Sequence, residues 1–161
     1  MKWIQYNIKT NTHVEYIENH KMPISTENTQ DEEIILETRE DLSFFLKNTP
    51  YDFVILKFYA DWCKPCKLIA PFVTRLLEDK AQKFEAQGLK NKFIFVSVDV
   101  DECFDLYAFM KKQKMINGIP ALFLYSKKVY KQNEEKHMYI PQASISGTKE
   151  DEIKKVLDFI I

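Results

Sequence analysis

The stretch Ala60-Asp61-Trp62-Cys63-Lys64-Pro65-Cys66-Lys67 constrains the chain most. It follows an apolar run, Val54-Ile55-Leu56-Lys57-Phe58-Tyr59, and precedes a helical pattern that starts at Leu68. A strand, a Cys-x-x-Cys pair and a helix in that order form a redox arrangement. With Cys63 at the helix N-cap, Cys66 falls on the same face of the first turn. The two sulfurs can then join without moving the backbone. The unpaired N–H groups and the positive end of the helix dipole favour a thiolate at Cys63. Pro65 falls in the first turn, where its missing N–H matters little.

The periodicity places further elements around this one. Ile34-Ile35-Leu36 reads as a first strand. Thr38 or Glu40 opens a helix with Leu42, Phe45 and Leu46 on its apolar side, stopped by Asn48-Thr49-Pro50. A long helix is expected from Cys66 to Gln87, with Ile69, Val73 and Leu77 in its stripe and Gly88 as its stop. Phe93 to Val98 is a strand, followed by a short helix with Leu106, Phe109 and Met110 facing inward. Pro120 introduces the strand Ala121–Tyr125.

Lys127, Lys128, Lys131, Glu134, Glu135 and Lys136 then make a charged stretch. It reads as an extended hairpin with its tip near Gln132 to Lys136 and Pro141 on the returning edge strand. Thr148 is a candidate N-cap for a last helix, Lys149 to Phe159.

The motifs together resemble the thioredoxin family. Trp62-Cys63-Lys64-Pro65-Cys66-Lys67 is followed by Leu68-Ile69-Ala70-Pro71. Val98-Asp99-Val100-Asp101 and Gly118-Ile119-Pro120 come next in the family's order. The resemblance covers roughly Glu33 to Ile161 and implies an α/β thioredoxin fold, a mixed central sheet flanked by helices. Residues 31–161 then form the thioredoxin-like domain, and residues 1–30 an extra N-terminal segment. In that segment Trp3, Ile4, Tyr6 and Ile8, then Val14, Tyr16 and Ile17, suggest an accessory hairpin. Pro23 to Gln30 reads as a linker.

The resemblance also implies roles. Cys63 is the attacking nucleophile, exposed and low in pKa, and Cys66 the resolving thiol. Trp62, Pro65, Ile119 and Pro120 contact the substrate, with Pro120 cis. The implied function is reduction of protein disulfides, with a separate thioredoxin-reductase-type electron donor and no cofactor beyond the Cys63–Cys66 disulfide. The alternatives are a disulfide oxidase or isomerase, differing in redox poise, and a non-enzymatic interaction adaptor.

One position departs from the family. Thioredoxins usually carry a buried aspartate where this chain has Lys57. Burial favours its neutral amine, while a nearby thiolate favours the ammonium. The expectation is a coupled, mostly charged Lys57 that modulates the pKa of the pair. Its alternative is a lysine that snorkels to water. Cys103, the third cysteine, reads as a small apolar filler.

A net charge of −1 gives no electrostatic footprint for nucleic acid or an acidic membrane. Zinc sites want four ligands, and the chain has no second Cys-x-x-Cys, so no metal is expected. No apolar stretch is long enough to span a bilayer, and three cysteines fit a reducing compartment, so a cytoplasmic location is expected.

Overall fold

The computed structural model describes residues 4–7, 12–15 and 36–161. Its strands are β1 (Ile4–Asn7), β2 (Thr12–Glu15), β3 (Phe53–Tyr59), β4 (Phe93–Asp99), β5 (Ala121–Ser126) and β6 (Ala143–Ser146). They form one sheet in the order β2-β1-β4-β3-β5-β6. The apolar run before the cysteines is central because it is buried on both faces, as a strand inside an α/β sheet must be. β3 runs parallel to β4 and antiparallel to β5. β6 is antiparallel to β5.

Helices α1 (Arg39–Asn48), α2 (Lys64–Ala86), α3 (Phe104–Lys112), α4 (Lys127–Tyr130) and α5 (Glu150–Leu157) complete the fold. Side chains on a strand alternate between faces, and two cores follow. On one face, Leu42 and Leu46 of α1 and Leu106 and Met110 of α3 pack with Val54, Leu56 and Phe58. On the other, Ile69, Val73 and Leu77 of α2 and Ile153 and Leu157 of α5 pack with Ile55, Phe95 and Leu122. Thr38 caps α1 through a reciprocal pair of bonds with Asp41. Gly88, at φ +69°, ends α2: the Leu89 N–H reaches the Phe84 carbonyl at 2.9 Å and the Gly88 N–H reaches Glu85 at 2.8 Å. Among the described residues, no helix is long and apolar enough to cross a membrane.

Several expectations change. Leu36 lies in no strand; it is fully buried in the α1 and α3 core. Ile34, Ile35 and the stretch Pro23–Gln30 lie outside the described residues. β1, from the segment read as accessory, joins the main sheet and pairs with β4 in parallel from Gln5↔Phe95 to Asn7↔Ser97. Residues 127–142 do not project as a hairpin. α4 and a 3₁₀ turn at Glu135–His137 fold back instead, because Tyr130 and Met138 are apolar anchors buried in the core. Pro141 precedes β6 rather than lying in it. The N-cap of α5 is Lys149, not Thr148, and the acidic residues Glu150, Asp151 and Glu152 occupy the first turn, where the helix dipole favours them.

Candidate active site

β3 delivers the chain to the cysteines. Past Tyr59 the backbone turns, closed by the Cys63 N–H on the Ala60 carbonyl at 3.1 Å. Cys63 is the N-cap of α2, with extended backbone, and Pro65 sits in the first turn. The Cys66 N–H points at the Cys63 sulfur, 3.2 Å away. It is one of the donors a helix start leaves unpaired, here spent on sulfur. Cys63 and Cys66 form a disulfide with Cα atoms 5.3 Å apart, inside the ordinary range for such a bridge.

The expected exposure of Cys63 is not seen in this oxidised pair. Cys63 is 3% and Cys66 2% exposed. The bond turns the Cys63 sulfur toward Cys66, and both belong to the core that includes Ala60, Val98 and Val100. Apolar surface lies outside them: Trp62 is 67% and Leu68 79% exposed.

Trp62 is held in place. Its indole Nε1 donates to Asp101 Oδ2 at 2.9 Å. The Asp101 N–H in turn donates to Asp99 Oδ1 at 3.0 Å, and the Val100 N–H to the Tyr59 carbonyl at 2.9 Å. The Val98–Asp101 stretch therefore ties the loop after β4 to the loop after β3. Sequence reasoning missed this role for Asp101; the available signal was its place in Val98-Asp99-Val100-Asp101, just after a strand pattern.

The Ile119–Pro120 bond is cis. Ala121 pairs with Phe58, so Pro120 lies at the Tyr59 end of β3, the end from which the cysteine loop leaves. Pro120 is buried and Ile119 half-buried, and the Pro120 carbonyl accepts the Gly147 N–H at 2.8 Å. The fold thus gathers Trp62, Cys63, Pro65, Cys66, Ile119 and Pro120 at one end of the sheet.

Lys57 lies deeper. It pairs with Ser97 on one side and Leu122 on the other. It shares the β3 face of Ile55, which packs with Ile69 of α2, three residues past Cys66. Lys57 is 9% exposed, and its Nζ lies 5.8 Å from the centroid of the Tyr59 ring, within reach of a cation–π contact. Burial lowers its pKa. Among the described residues no carboxylate pairs with it. Open snorkelling to water does not fit this burial.

Cys103 is fully buried at the start of α3. Burial, with Glu37 and Asp99 adding to it, pushes its thiol up to about 12. A thiol held protonated this way is a poor nucleophile. Among the described residues, no group of three or more His, Cys, Asp or Glu side chains is arranged to hold a metal ion.

The family model described as thioredoxin matches residues 33–157. The chain is 40% identical over 72 residues to thioredoxin 1 of Chlorobaculum tepidum, an overlap of 45% of this chain and 58% of that protein. It is 44% identical over 55 residues to thioredoxin of Oryctolagus cuniculus, covering 34% and 43% respectively. The chain spans about half the length of the curated relatives it matches. Among solved structures, Fasciola hepatica thioredoxin superposes with a TM-score of 0.51 at 21% identity, over 78% of this chain and 97% of that one. At that identity the likeness speaks for the fold alone.

Proposed function

The chain belongs to the thioredoxin family, and from that premise we propose that it is a thiol–disulfide oxidoreductase that reduces protein disulfides. In the reduced protein the Cys63 thiolate attacks one sulfur of a substrate disulfide. A Cys63–substrate bond forms, the substrate bond breaks, and the departing sulfur takes up a proton. The Cys66 thiol then loses its proton and attacks the Cys63 sulfur. The Cys63–Cys66 bond forms and the second substrate sulfur leaves as a thiol. Two electrons pass from the pair to the substrate.

The observation that carries this reading is the Cys66 N–H aimed at the Cys63 sulfur at the start of α2. The same donor and the helix dipole stabilise a thiolate there. Trp62, Pro65, Ile119 and Pro120 are the proposed substrate contacts. In this reading the cis Pro120 presents the backbone of Ile119 to an extended substrate segment by β-type pairing. Residues 31–161 are the proposed redox unit and residues 1–30 an accessory segment. The proposed working place is the cytoplasm, and the proposed recharging partner is a thioredoxin-reductase-type donor.

A trapping experiment tests the assignment of roles. Cys66→Ser leaves Cys63 able to attack and unable to be resolved, so substrates stay attached through Cys63. Equal recovery of mixed disulfides from Cys63→Ser would sink it. Reduction of insulin disulfides in dithiothreitol is expected to be fast for the natural chain and absent for Cys63→Ser. An adaptor would instead keep its biological function with both cysteines replaced.

A further inference from the structure

The charged stretch after β5 has no part in the disulfide chemistry. It lines a groove of about 730 Å³ at the opposite end of the sheet, where β3 begins and β5 ends. Lys127, Lys128 and Lys131 stand on one wall, Lys92 on another, and Phe53 and Phe159 add apolar surface. That volume suits one small organic molecule.

The lysine wall is fixed by its backbone. The Lys127 N–H donates to the Asp52 carbonyl at 2.7 Å, and Ser126 Oγ accepts the Val129 N–H at 3.3 Å. Tyr130 is 1% exposed and donates its hydroxyl to the Tyr51 carbonyl at 3.3 Å. The lysines therefore stand on an anchored turn.

The charges do not cancel. Asp52 and Asp158 also face the groove. Asp52 already holds Lys92 at 3.1 Å, and Asp158 holds Lys80 at 3.4 Å. Glu134, close by in sequence, is taken by Lys136 at 2.8 Å. Among the described residues no carboxylate pairs with Lys127, Lys128 or Lys131. Three like charges on one short turn repel one another, and a multivalent anion relieves that repulsion. Lysines act toward phosphate as point charges, and Gln132 and Gln142 at the rim add hydrogen-bonding groups.

We propose that this groove is a second binding site, distant from the disulfide, for a small organic oligophosphate of nucleoside di- or triphosphate chemistry. The phosphates meet Lys127, Lys128 and Lys131. The organic body lies against Phe53 and Phe159.

The test uses the full chain labelled with ¹⁵N and titrated with ATP, tripolyphosphate, adenosine and polyglutamate. ATP is expected to shift the amides of Lys127 to Gln132 and of Phe159, with affinity that falls as salt rises. Tripolyphosphate should bind the same amides more weakly, and adenosine should not bind. Lys128→Ala/Lys131→Ala should weaken ATP by about 10-fold or more, since each lost charged contact is worth a large factor. Its thermal midpoint and insulin reduction should match the natural chain, which separates loss of the site from loss of the fold and from failure of the redox reading. Shifts confined to other residues, an unchanged affinity in the double variant, tripolyphosphate binding as tightly as ATP, or polyglutamate binding as tightly or more tightly would each overturn the proposal.

Discussion

Cys63 and Cys66 were legible from the sequence because their chemistry lies in local spacing, and a helix start converts that spacing into contact. Asp101 was not legible, since its bond to Trp62 spans 39 residues and needs the parallel pairing of β3 and β4. Lys57 stood out by breaking an apolar run, but its burial, with no carboxylate paired to it among the described residues, came only with the structure. That burial has a stability consequence. The folded pKa of Lys57 lies below its ordinary value near 10.5. Between the two values the unfolded chain holds more protons, so folding becomes more favourable as pH rises through that window. The charged lysine therefore destabilises the fold most below its folded pKa. In the oxidised protein, Lys57→Met should stabilise at neutral pH by about 1–3 kcal/mol, and the gain should shrink as pH approaches 10.5. In the reduced protein a thiolate favours the ammonium, so the same change should raise the pKa of Cys63 and make the potential more reducing. Each 30 mV corresponds to about 1.4 kcal/mol. An unchanged thiolate titration and potential would remove Lys57 from the redox pair and leave only its effect on stability.

Among elements, the strands and helices with strong periodicity were readable, and the segment between β5 and β6 was not. Its length and charge read as an extended hairpin. Tyr130 and Met138 stand eight positions apart with only polar and charged residues between them, too few apolar positions to show any period, yet both are buried. The neighbouring Tyr139 adds to the hold. Its ring meets Phe109 of α3 edge-on at 4.8 Å, and its carbonyl accepts the Tyr125 hydroxyl at 2.9 Å. Such anchors are visible only when the surface they cover is known. Tyr130→Ala should therefore destabilise the protein by about 3–5 kcal/mol, the range for emptying a large aromatic site. Tyr130→Phe removes only the 3.3 Å bond to Tyr51 and should lose about 1 kcal/mol. Chemical denaturation of both variants measures this. If the alanine variant loses no more than the phenylalanine variant, the segment does not pack as described.

For the whole molecule, sheet topology decides which loops meet. The carboxyl end of a central strand is where α/β sheets place their sites, and the cysteine pair follows β3 at that end. The choice of strand beside β4 was not readable, because Ile34-Ile35-Leu36 and Ile4–Asn7 are both short runs suited to a strand. Pairing is a property of the assembled sheet, and there β1 lies against β4. β1 lies on the far side of β4 from β3, away from the cysteine loop. Removing residues 1–30 should therefore leave the disulfide potential and insulin reduction unchanged. It should also strip the β4 edge of its hydrogen bonds to β1 along Gln5↔Phe95, Tyr6↔Val96 and Asn7↔Ser97. At roughly 0.5–1.5 kcal/mol net per bond, the loss should be several kcal/mol. An uncovered apolar edge is also a template for pairing with another chain, so the truncated protein should self-associate as its concentration rises. Hydrogen exchange on the full chain gives an independent check, because paired amides in Gln5 to Asn7 should be protected along with those of Phe95 to Ser97. Free exchange throughout residues 4–7, together with an unchanged unfolding midpoint after truncation, would show that the sheet is complete without its N-terminal strands.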